Sequence, residues 1–209
     1  MRGVVVSFVY GVGLLLLLLL LLSTHLRPLK CYFWLTFSHG TLLLLASLPP
    51  DALVECHGHF RTASCIKCGT AVQDVEAVRT TIVTDAQVPR CARCQGLVKP
   101  DIVFFGEDLP ARFHRMLHPD VKAADGCLVL GTSLQVAPVS SIPNMVGRKV
   151  KRVLLNREKV GNFRPGNGRD LFHAGDCDAS VEWVAKCLGW WPDLQALHGS
   201  LSADEGNPA

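Results

Sequence analysis

The first fifty residues of this 209-residue chain contain no acidic side chain, and their only charged side chains are Arg2, Arg27 and Lys30. All 18 acidic residues therefore lie in residues 51–209, together with 18 of the 21 lysines and arginines. The larger part of the chain is thus formally neutral and has no broad basic field. That absence argues against nucleic-acid binding, which depends on cations that neutralise phosphates.

Long apolar runs dominate the same fifty residues. Residues 3–22 form a 20-residue run that ends in nine consecutive leucines, and this length is enough to cross a bilayer as a helix. Residues 31–48 form a second, weaker run, and no small-x-small cleavage site follows the leucines. Two interpretations of residues 1–47 stay open: a membrane or signal-like helical segment, or translated sequence that does not belong to the protein.

The nine cysteines lack the spacing of a disulfide framework. Four of them form two CxxC pairs, Cys65 with Cys68 and Cys91 with Cys94, separated by 22 residues. Two such turns can close a tetrahedral Zn²⁺ site. A redox motif or two disulfides are the alternatives, but redox CxxC motifs usually occur singly at the start of a helix. The pattern therefore predicts structural zinc in a module of residues 60–97, with a β-like stretch at residues 80–84, in a reducing compartment.

Short apolar runs between turn residues indicate an α/β fold for residues 48–197. Strands are predicted at residues 126–131, 152–156 and 170–173, with a strand or strand-like loop at 102–105, and helices at 109–121, 139–146 and 179–188. This alternation is typical of half of a doubly wound, Rossmann-like parallel sheet. The small, polar residues 198–209 are predicted to be a disordered tail.

Ligands of such sheets bind outside the carboxyl ends of the strands. Gly131, Thr132 and Ser133 follow one predicted strand, and Asn156, Arg157 and Glu158 follow the next. Each group by itself is more typical of an ordinary turn. Together, on successive strands, they indicate a nucleotide site, because hydroxyls and amides can bind phosphate and ribose.

Seven motifs occur together: VECHG at residues 54–58, the two CxxC pairs, KPDIVFFGE at 99–107, GTSL at 131–134, NR at 156–157, GDC at 175–177 and LGW at 188–190. In this order they resemble the sirtuins, the NAD⁺-dependent protein lysine deacylases. The resemblance is greatest to the branch that contains the cytosolic and mitochondrial deacetylases. It covers about residues 46–197 and implies acyl-lysine proteins or peptides as partners, with structural Zn²⁺ and the co-substrate NAD⁺.

The resemblance also implies a role for each matching residue. His57 would be the general base, and a histidine suits this role because its pKa lies near working pH. The four CxxC cysteines would hold zinc. The floor of the acyl-lysine tunnel would be formed by Val103, Phe104, Phe105, Gly106 and Glu107. NAD⁺ would be bound by Gly131, Thr132 and Ser133 on its phosphate and ribose side, by Asn156 and Arg157 at the adenine ribose, and by Cys177 at the adenine.

The implied reaction transfers the acyl group of a modified lysine to NAD⁺ and releases free lysine, nicotinamide and O-acyl-ADP-ribose. The family's Gly-Ala-Gly-x-Ser turn, its nicotinamide-covering loop and its Thr-Gln-Asn-Ile-Asp segment are not found in the sequence. The alternative function is therefore a catalytically inactive, zinc-binding sirtuin fragment, anchored to a membrane if residues 3–22 are genuine. The family domain itself suits the cytoplasm, nucleus or mitochondrion.

Overall fold

The computed structural model describes residues 3–7, 32–35 and 53–204, with the side chains of residues 53–197. Its strands are β1 (Gly3–Ser7), β2 (Tyr32–Leu35), β3 (Leu53–Glu55), β4 (Gly58–Cys65), β5 (Val98–Ile102), β6 (Gly126–Leu130), β7 (Lys151–Asn156) and β8 (Asp170–Ala174). Its helices are α1 (Val75–Val83), α2 (Ala111–Ala123), α3 (Ile142–Met145), α4 (Cys177–Leu188) and α5 (Trp191–Asp204), and a 3₁₀ turn (Val139–Ser141) precedes α3.

Six of these strands form one parallel sheet in the order β3-β2-β1-β6-β7-β8. The order reverses between β1 and β6, which is the point where doubly wound sheets bind their ligands. Continuous apolar runs such as GCLVL in β6 suit a central strand, which is covered on both faces. The main core packs around this sheet, and its buried residues include Val129, Leu154, Ile142 and Phe113.

The remaining two strands, β4 and β5, pair antiparallel and carry a separate small module. The Cys65 end of β4 lies opposite Val98 of β5, and the Gly58 end lies opposite Ile102. A second apolar cluster lies inside this module and contains Ala63, Cys65, Val78, Cys91 and Val98. The hairpin therefore runs from the cysteine pairs at one end to His57 at the other.

At residues 3–7 the structure differs from the predicted apolar helix. Gly3–Ser7 is a strand rather than part of an apolar helix, and it pairs with β2 on one side and with β6 on the other. The β-branched residues Val4, Val5 and Val6 favour a strand because their χ1 angles are restricted in a helix. The parallel sheet therefore extends beyond the three predicted strands. Residues 1–2, 8–31 and 36–47, the rest of the predicted apolar segment, lie outside the described residues, as do residues 48–52.

Among the described residues, we find no helix with the length and apolar character needed to cross a membrane. The predicted β-like stretch at residues 80–84 is also wrong, because this part of the chain belongs to α1. Asp74 caps α1 by accepting a hydrogen bond from the Ala77 amide at 2.9 Å, and this cap outweighs the β propensity of the following residues.

Two further elements differ from the prediction at their ends. The helix expected at residues 139–146 is divided into a 3₁₀ turn and the short α3, in which Pro143 occupies the first turn. Helix α5 continues to Asp204, so residues 198–204 are helical where the sequence predicts a disordered tail. Residues 205–209 of that tail lie outside the described residues.

Candidate functional site

The four CxxC cysteines meet in one cluster, in which all Sγ atoms lie within 4.8 Å of one another. Measured contacts are 3.5 Å between Cys65 and Cys94, 3.8 Å between Cys68 and Cys91, and 3.4 Å between Cys94 and Cys68. A tetrahedron of thiolates with Zn–S bonds of about 2.3 Å requires Sγ–Sγ distances of about 3.8 Å. All four thiols are free, so the cluster has the donor set and size of a zinc site.

The two cysteine turns have the same backbone geometry. The amides of Gly69 and Gln95 donate to the carbonyls of Cys65 and Cys91, each four residues earlier, at 2.9 and 2.8 Å. A Cβ added at Gly96 would lie 3.0 Å from the Cys65 Sγ, so this position has no room for a side chain. CxxC spacing is a local property, and this explains why the sequence alone identified both turns.

The acidities of Cys68 and Cys94 are shifted in opposite directions, with the pKa of Cys68 lowered and that of Cys94 raised. The hydroxyl of Thr70 lies 3.1 Å from the Cys68 Sγ, and its hydrogen bond, followed by that of the Thr70 backbone, lowers the pKa of Cys68 to about 6. A thiolate at neutral pH is the form that binds metal.

A first cavity, of about 570 Å³, lies at the carboxyl ends of β6 and β7 and at the start of α4. It brings together all six residues predicted to bind the cofactor: Gly131, Thr132, Ser133, Asn156, Arg157 and Cys177. Parallel strands end at the same edge of the sheet, and this places residues from three separate segments together. Burial raises the pKa of the Cys177 thiol, so this residue offers the cavity a neutral group.

The side chain of Asn156 connects the loops after β6 and β7, which both line this cavity. Its Nδ2 donates to the Thr132 carbonyl oxygen at 3.1 Å and to the Glu158 carbonyl oxygen at 2.8 Å. At the rim, the Arg157 guanidinium donates to the carboxylate of Asp176, although both side chains are well exposed. The loops are therefore fixed to each other by the amide donors of Asn156.

Glu158, which follows the same strand as Asn156 and Arg157, also lines the first cavity, and so do Gly175 and Asp176 of the GDC motif, to which no separate role was assigned. Sequence reasoning missed three lining residues: Gln135, Val160 and Asp178. Asp178 directly follows Cys177 in the sequence, so its position was a usable signal. Gln135 and Val160 had no such signal, because they reach the cavity only through the path of their loops.

A second cavity, of about 200 Å³, contains His57 and all five residues predicted for the acyl-lysine tunnel. Its other lining residues are Ile102, Leu109, Val136, Ala137 and Pro138, so most of its surface is apolar. Phe104 and Phe105 are exposed. A cavity of this kind can accept an aliphatic chain and leave its polar end beside an imidazole.

His57 lies in the tight turn between β3 and β4. Its carbonyl oxygen accepts a hydrogen bond from the Val103 amide at 2.9 Å, which connects the histidine to the tunnel residues. Gly58 has φ +71°, and a Cβ there would lie 2.0 Å from the Asp101 carbonyl oxygen, so only glycine fits after His57. Burial lowers the pKa of His57, and the imidazole is therefore neutral at pH 7 and able to accept a proton.

The loop after β6 contributes to both cavities. Gly131, Thr132, Ser133 and Gln135 line the first cavity, and residues 136–138 of the same loop line the second. The two cavities are therefore neighbours on one continuous segment of backbone.

The fold and the site together define a class of protein with three features. They are a parallel α/β domain with the doubly wound strand order, a four-cysteine module inserted between β3 and β6, and a cavity at the strand ends. Residues 46–138 match the family model described as Sir2 family. The chain is 44% identical over 168 residues to the NAD-dependent protein deacetylase hst2 of Schizosaccharomyces pombe, covering 80% of this chain and 49% of that protein.

Two other relatives agree with this match. The NAD-dependent protein deacetylase sirtuin-3 of Mus musculus is 40% identical over 188 residues, covering 83% of this chain and 55% of that protein. The NAD-dependent protein deacetylase sirtuin-2 of Danio rerio is 34% identical over 185 residues, covering 80% of this chain and 48% of that protein. The chain belongs to the Sir2, or sirtuin, family. It spans about half the length of these curated relatives.

Proposed function

We propose that the protein is an NAD⁺-dependent protein lysine deacylase that removes acetyl or related acyl groups. The observation that carries this proposal is the loop after β6, which lines the first cavity with Gly131, Thr132, Ser133 and Gln135 and the apolar second cavity beside His57 with residues 136–138. A nucleotide and an acyl-lysine side chain, bound in neighbouring cavities, would meet next to a neutral histidine. The three relatives compared above are all named NAD-dependent protein deacetylases, which supports the same reaction.

The chain's own residues would have the following tasks. Gly131, Thr132 and Ser133 would bind the phosphate and ribose side of NAD⁺, Asn156 and Arg157 the adenine ribose, and Cys177 the adenine. The chemistry that bound NAD⁺ supplies is the activated bond between its ribose and nicotinamide. His57 would accept a proton from a ribose hydroxyl, which its lowered pKa allows at neutral pH. Val103 to Glu107 would hold the acyl-lysine and its peptide, which would add as a strand.

The four cysteines of the small module would hold a structural Zn²⁺. Four protein ligands complete a tetrahedral zinc site and leave no coordination position for a substrate. The metal's task would therefore be to hold the module together, and the antiparallel hairpin of β4 and β5 connects that module to His57.

The proposal is tested by nicotinamide release from the zinc-loaded, full-length chain, given NAD⁺ and an acetyl-lysine peptide. We expect His57→Ala to reduce release by about 100-fold or more, the usual contribution of a general base. The matched control is His118→Ala, because His118 is an exposed histidine of α2 outside both cavities. The acid limb of the pH profile should lie below about 6.5, the ordinary pKa of histidine.

Release that requires both the peptide and His57 supports the deacylase. No release from a folded, zinc-loaded protein that still binds NAD⁺ would contradict the proposal and favour the inactive, zinc-binding sirtuin fragment. Release that persists unchanged in His57→Ala would contradict the role given to this histidine.

A further inference from the structure

Lys99 lies on β5, outside the set of residues that line either of the two cavities described above, yet its ammonium group faces the loop that follows this strand. The Nζ donates to the Ile102 carbonyl oxygen at 2.5 Å and to the Pro100 carbonyl oxygen at 3.4 Å. It also lies 3.1 Å from a carboxylate oxygen of Glu107 and 4.8 Å from the centre of the Phe104 ring. One side chain thus contacts both ends of residues 102–107.

The Glu107 carboxylate extends this set of contacts into the backbone. The same Oε2 that contacts Lys99 accepts a hydrogen bond from the Phe104 amide at 2.9 Å, and the Glu107 amide donates to the Phe104 carbonyl oxygen at 3.0 Å. The Phe104 amide, followed by the Lys99 ammonium, lowers the pKa of Glu107, so the carboxylate stays charged at neutral pH.

The other side of this loop is fixed to the histidine turn. The Val103 amide donates to the His57 carbonyl oxygen, one residue before the Phe104 amide donates to Glu107. Two consecutive amides of the loop are therefore held by two different anchors. The anchor at Val103 is backbone, whereas the anchor at Phe104 is the Glu107 carboxylate, which Lys99 contacts.

We propose that Lys99 is a positioning residue for the acyl-lysine cavity, which acts through Glu107 and Phe104 to hold residues 103–107 against His57. This inference rests on the proposed function, because it concerns the same cavity. Lys99 itself does not need to contact the acyl group. The Lys99 side chain is 25% exposed and that of Glu107 is 41% exposed, so the ion pair by itself is expected to contribute only as much as a surface pair does.

The test compares wild type with Lys99→Met, which keeps most of the apolar stem of the side chain and removes the ammonium group, with its charge and its hydrogen bonds to the Ile102 and Pro100 carbonyl oxygens. We expect the KM for an acetyl-lysine peptide, and the dissociation constant of that peptide measured by fluorescence anisotropy, to rise about three- to tenfold. The KM for NAD⁺ and the midpoint of thermal unfolding should change little. Hydrogen exchange of the peptide segment that contains residues 103–107 should become faster.

A matched control exists on α4. Lys186 contacts the Glu182 carboxylate at 2.5 Å and lies 5.2 Å from the centre of the Trp191 ring, so it makes the same two kinds of interaction far along the chain from the cavity. Lys186→Met should leave the KM of the peptide and the exchange of residues 103–107 unchanged. Lys99→Arg keeps the positive charge and should restore most of the peptide affinity.

Coupling between the two side chains gives a second criterion. Because Lys99 acts through Glu107, the double variant Lys99→Met with Glu107→Gln should bind the peptide little worse than Glu107→Gln alone. If the losses of peptide affinity in the two single variants multiply in the double variant, the inference is overturned. It is also overturned if Lys99→Met binds the peptide as tightly as wild type, or if Lys99→Met weakens the binding of NAD⁺ and of the peptide equally. A wild type that binds the peptide without releasing nicotinamide would contradict the deacylase reaction alone. A wild type that does not bind the peptide would overturn both.

Discussion

At the scale of single residues, a buried ion pair away from the cavities connects β7 and β8. Arg152 donates two hydrogen bonds of 2.7 Å to the two carboxylate oxygens of Asp170, and both side chains are almost fully buried. The Arg164 amide and the Asn167 side chain donate to the same carboxylate, and the guanidinium packs 4.5 Å from the Phe163 ring. Burial is tolerated because both charges are satisfied.

Replacement of Asp170 by Asn should therefore destabilise the protein strongly. The variant leaves the Arg152 charge buried without a counter-charge, and such a loss costs about 3–5 kcal/mol of unfolding free energy. Urea unfolding at pH 7 measures this directly. Asp85→Asn is the control, because Asp85 is exposed and follows α1. An Asp170→Asn protein as stable as the control would mean that the pair contributes nothing.

Protonation of the Asp170 carboxylate should make the stability of the folded protein fall at low pH. Hydrogen bonds from Arg152 are the largest cause that holds the pKa of Asp170 far below its ordinary value in the folded protein. A lowered folded pKa stabilises the protein above the unfolded pKa of about 3.9, and this contribution is lost as the pH falls below that value. The acid limb of wild-type stability should therefore be steeper below about pH 4 than that of Asp170→Asn.

At the scale of elements, the hairpin of β4 and β5 connects the cysteine cluster to the turn that carries His57. Cys65 ends β4 opposite Val98, and Gly58 begins it opposite Ile102, so the cysteine cluster and His57 lie at the two ends of one ladder. The module's own apolar cluster is small and includes two of the cysteines themselves. A core of this size gives little stability without the metal.

Removal of zinc should therefore loosen the small module before the parallel sheet. We expect a chelator to speed up hydrogen exchange in residues 58–102, while residues 126–174, which carry β6, β7 and β8, keep their protection. Cys94→Ser should have the same effect without a chelator, and Cys187→Ser, at an exposed cysteine outside the cluster, should not. Protection of residues 58–102 that survives complete loss of the metal would show that zinc is not structural.

The elements also show what the sequence could and could not predict. The cysteine turns and β6 were predictable because CxxC spacing and a short apolar run between glycines are local signals. The helix α1 was not, since the cap at Asp74 decides against the β propensity of Thr80, Thr81 and Ile82. Most candidate site residues came from motifs, whereas Gln135 and Val136 reach the cavities only through the fold of the loop after β6.

At the scale of the whole molecule, the sheet depends on a segment that the sequence left ambiguous. An apolar run does not by itself distinguish a buried strand from a helix. In the structure, β1 lies between β2 and β6, and Ser7 at its carboxyl end pairs with Leu130, directly before Gly131 of the first cavity. Without β1, the described sheet would divide into β3 with β2 and β6 with β7 and β8.

The substitution Val5→Pro tests whether β1 lies between β2 and β6, because Val5 pairs with both Phe33 and Leu128. Proline has no amide hydrogen for the ladder and is excluded from central strands, so Val5→Pro should cost on the order of 3 kcal/mol of stability. Val88→Pro is the control, since Val88 is an exposed loop residue before Pro89. Hydrogen exchange in β6 should become faster in Val5→Pro alone. If both variants unfold at the same urea concentration as wild type, residues 3–7 are not part of the sheet. That result would favour the interpretation that they belong to an apolar segment outside the family domain. If only Val5→Pro is destabilised, residues 3–7 are an inner strand of the sheet, next to the cavity proposed for NAD⁺.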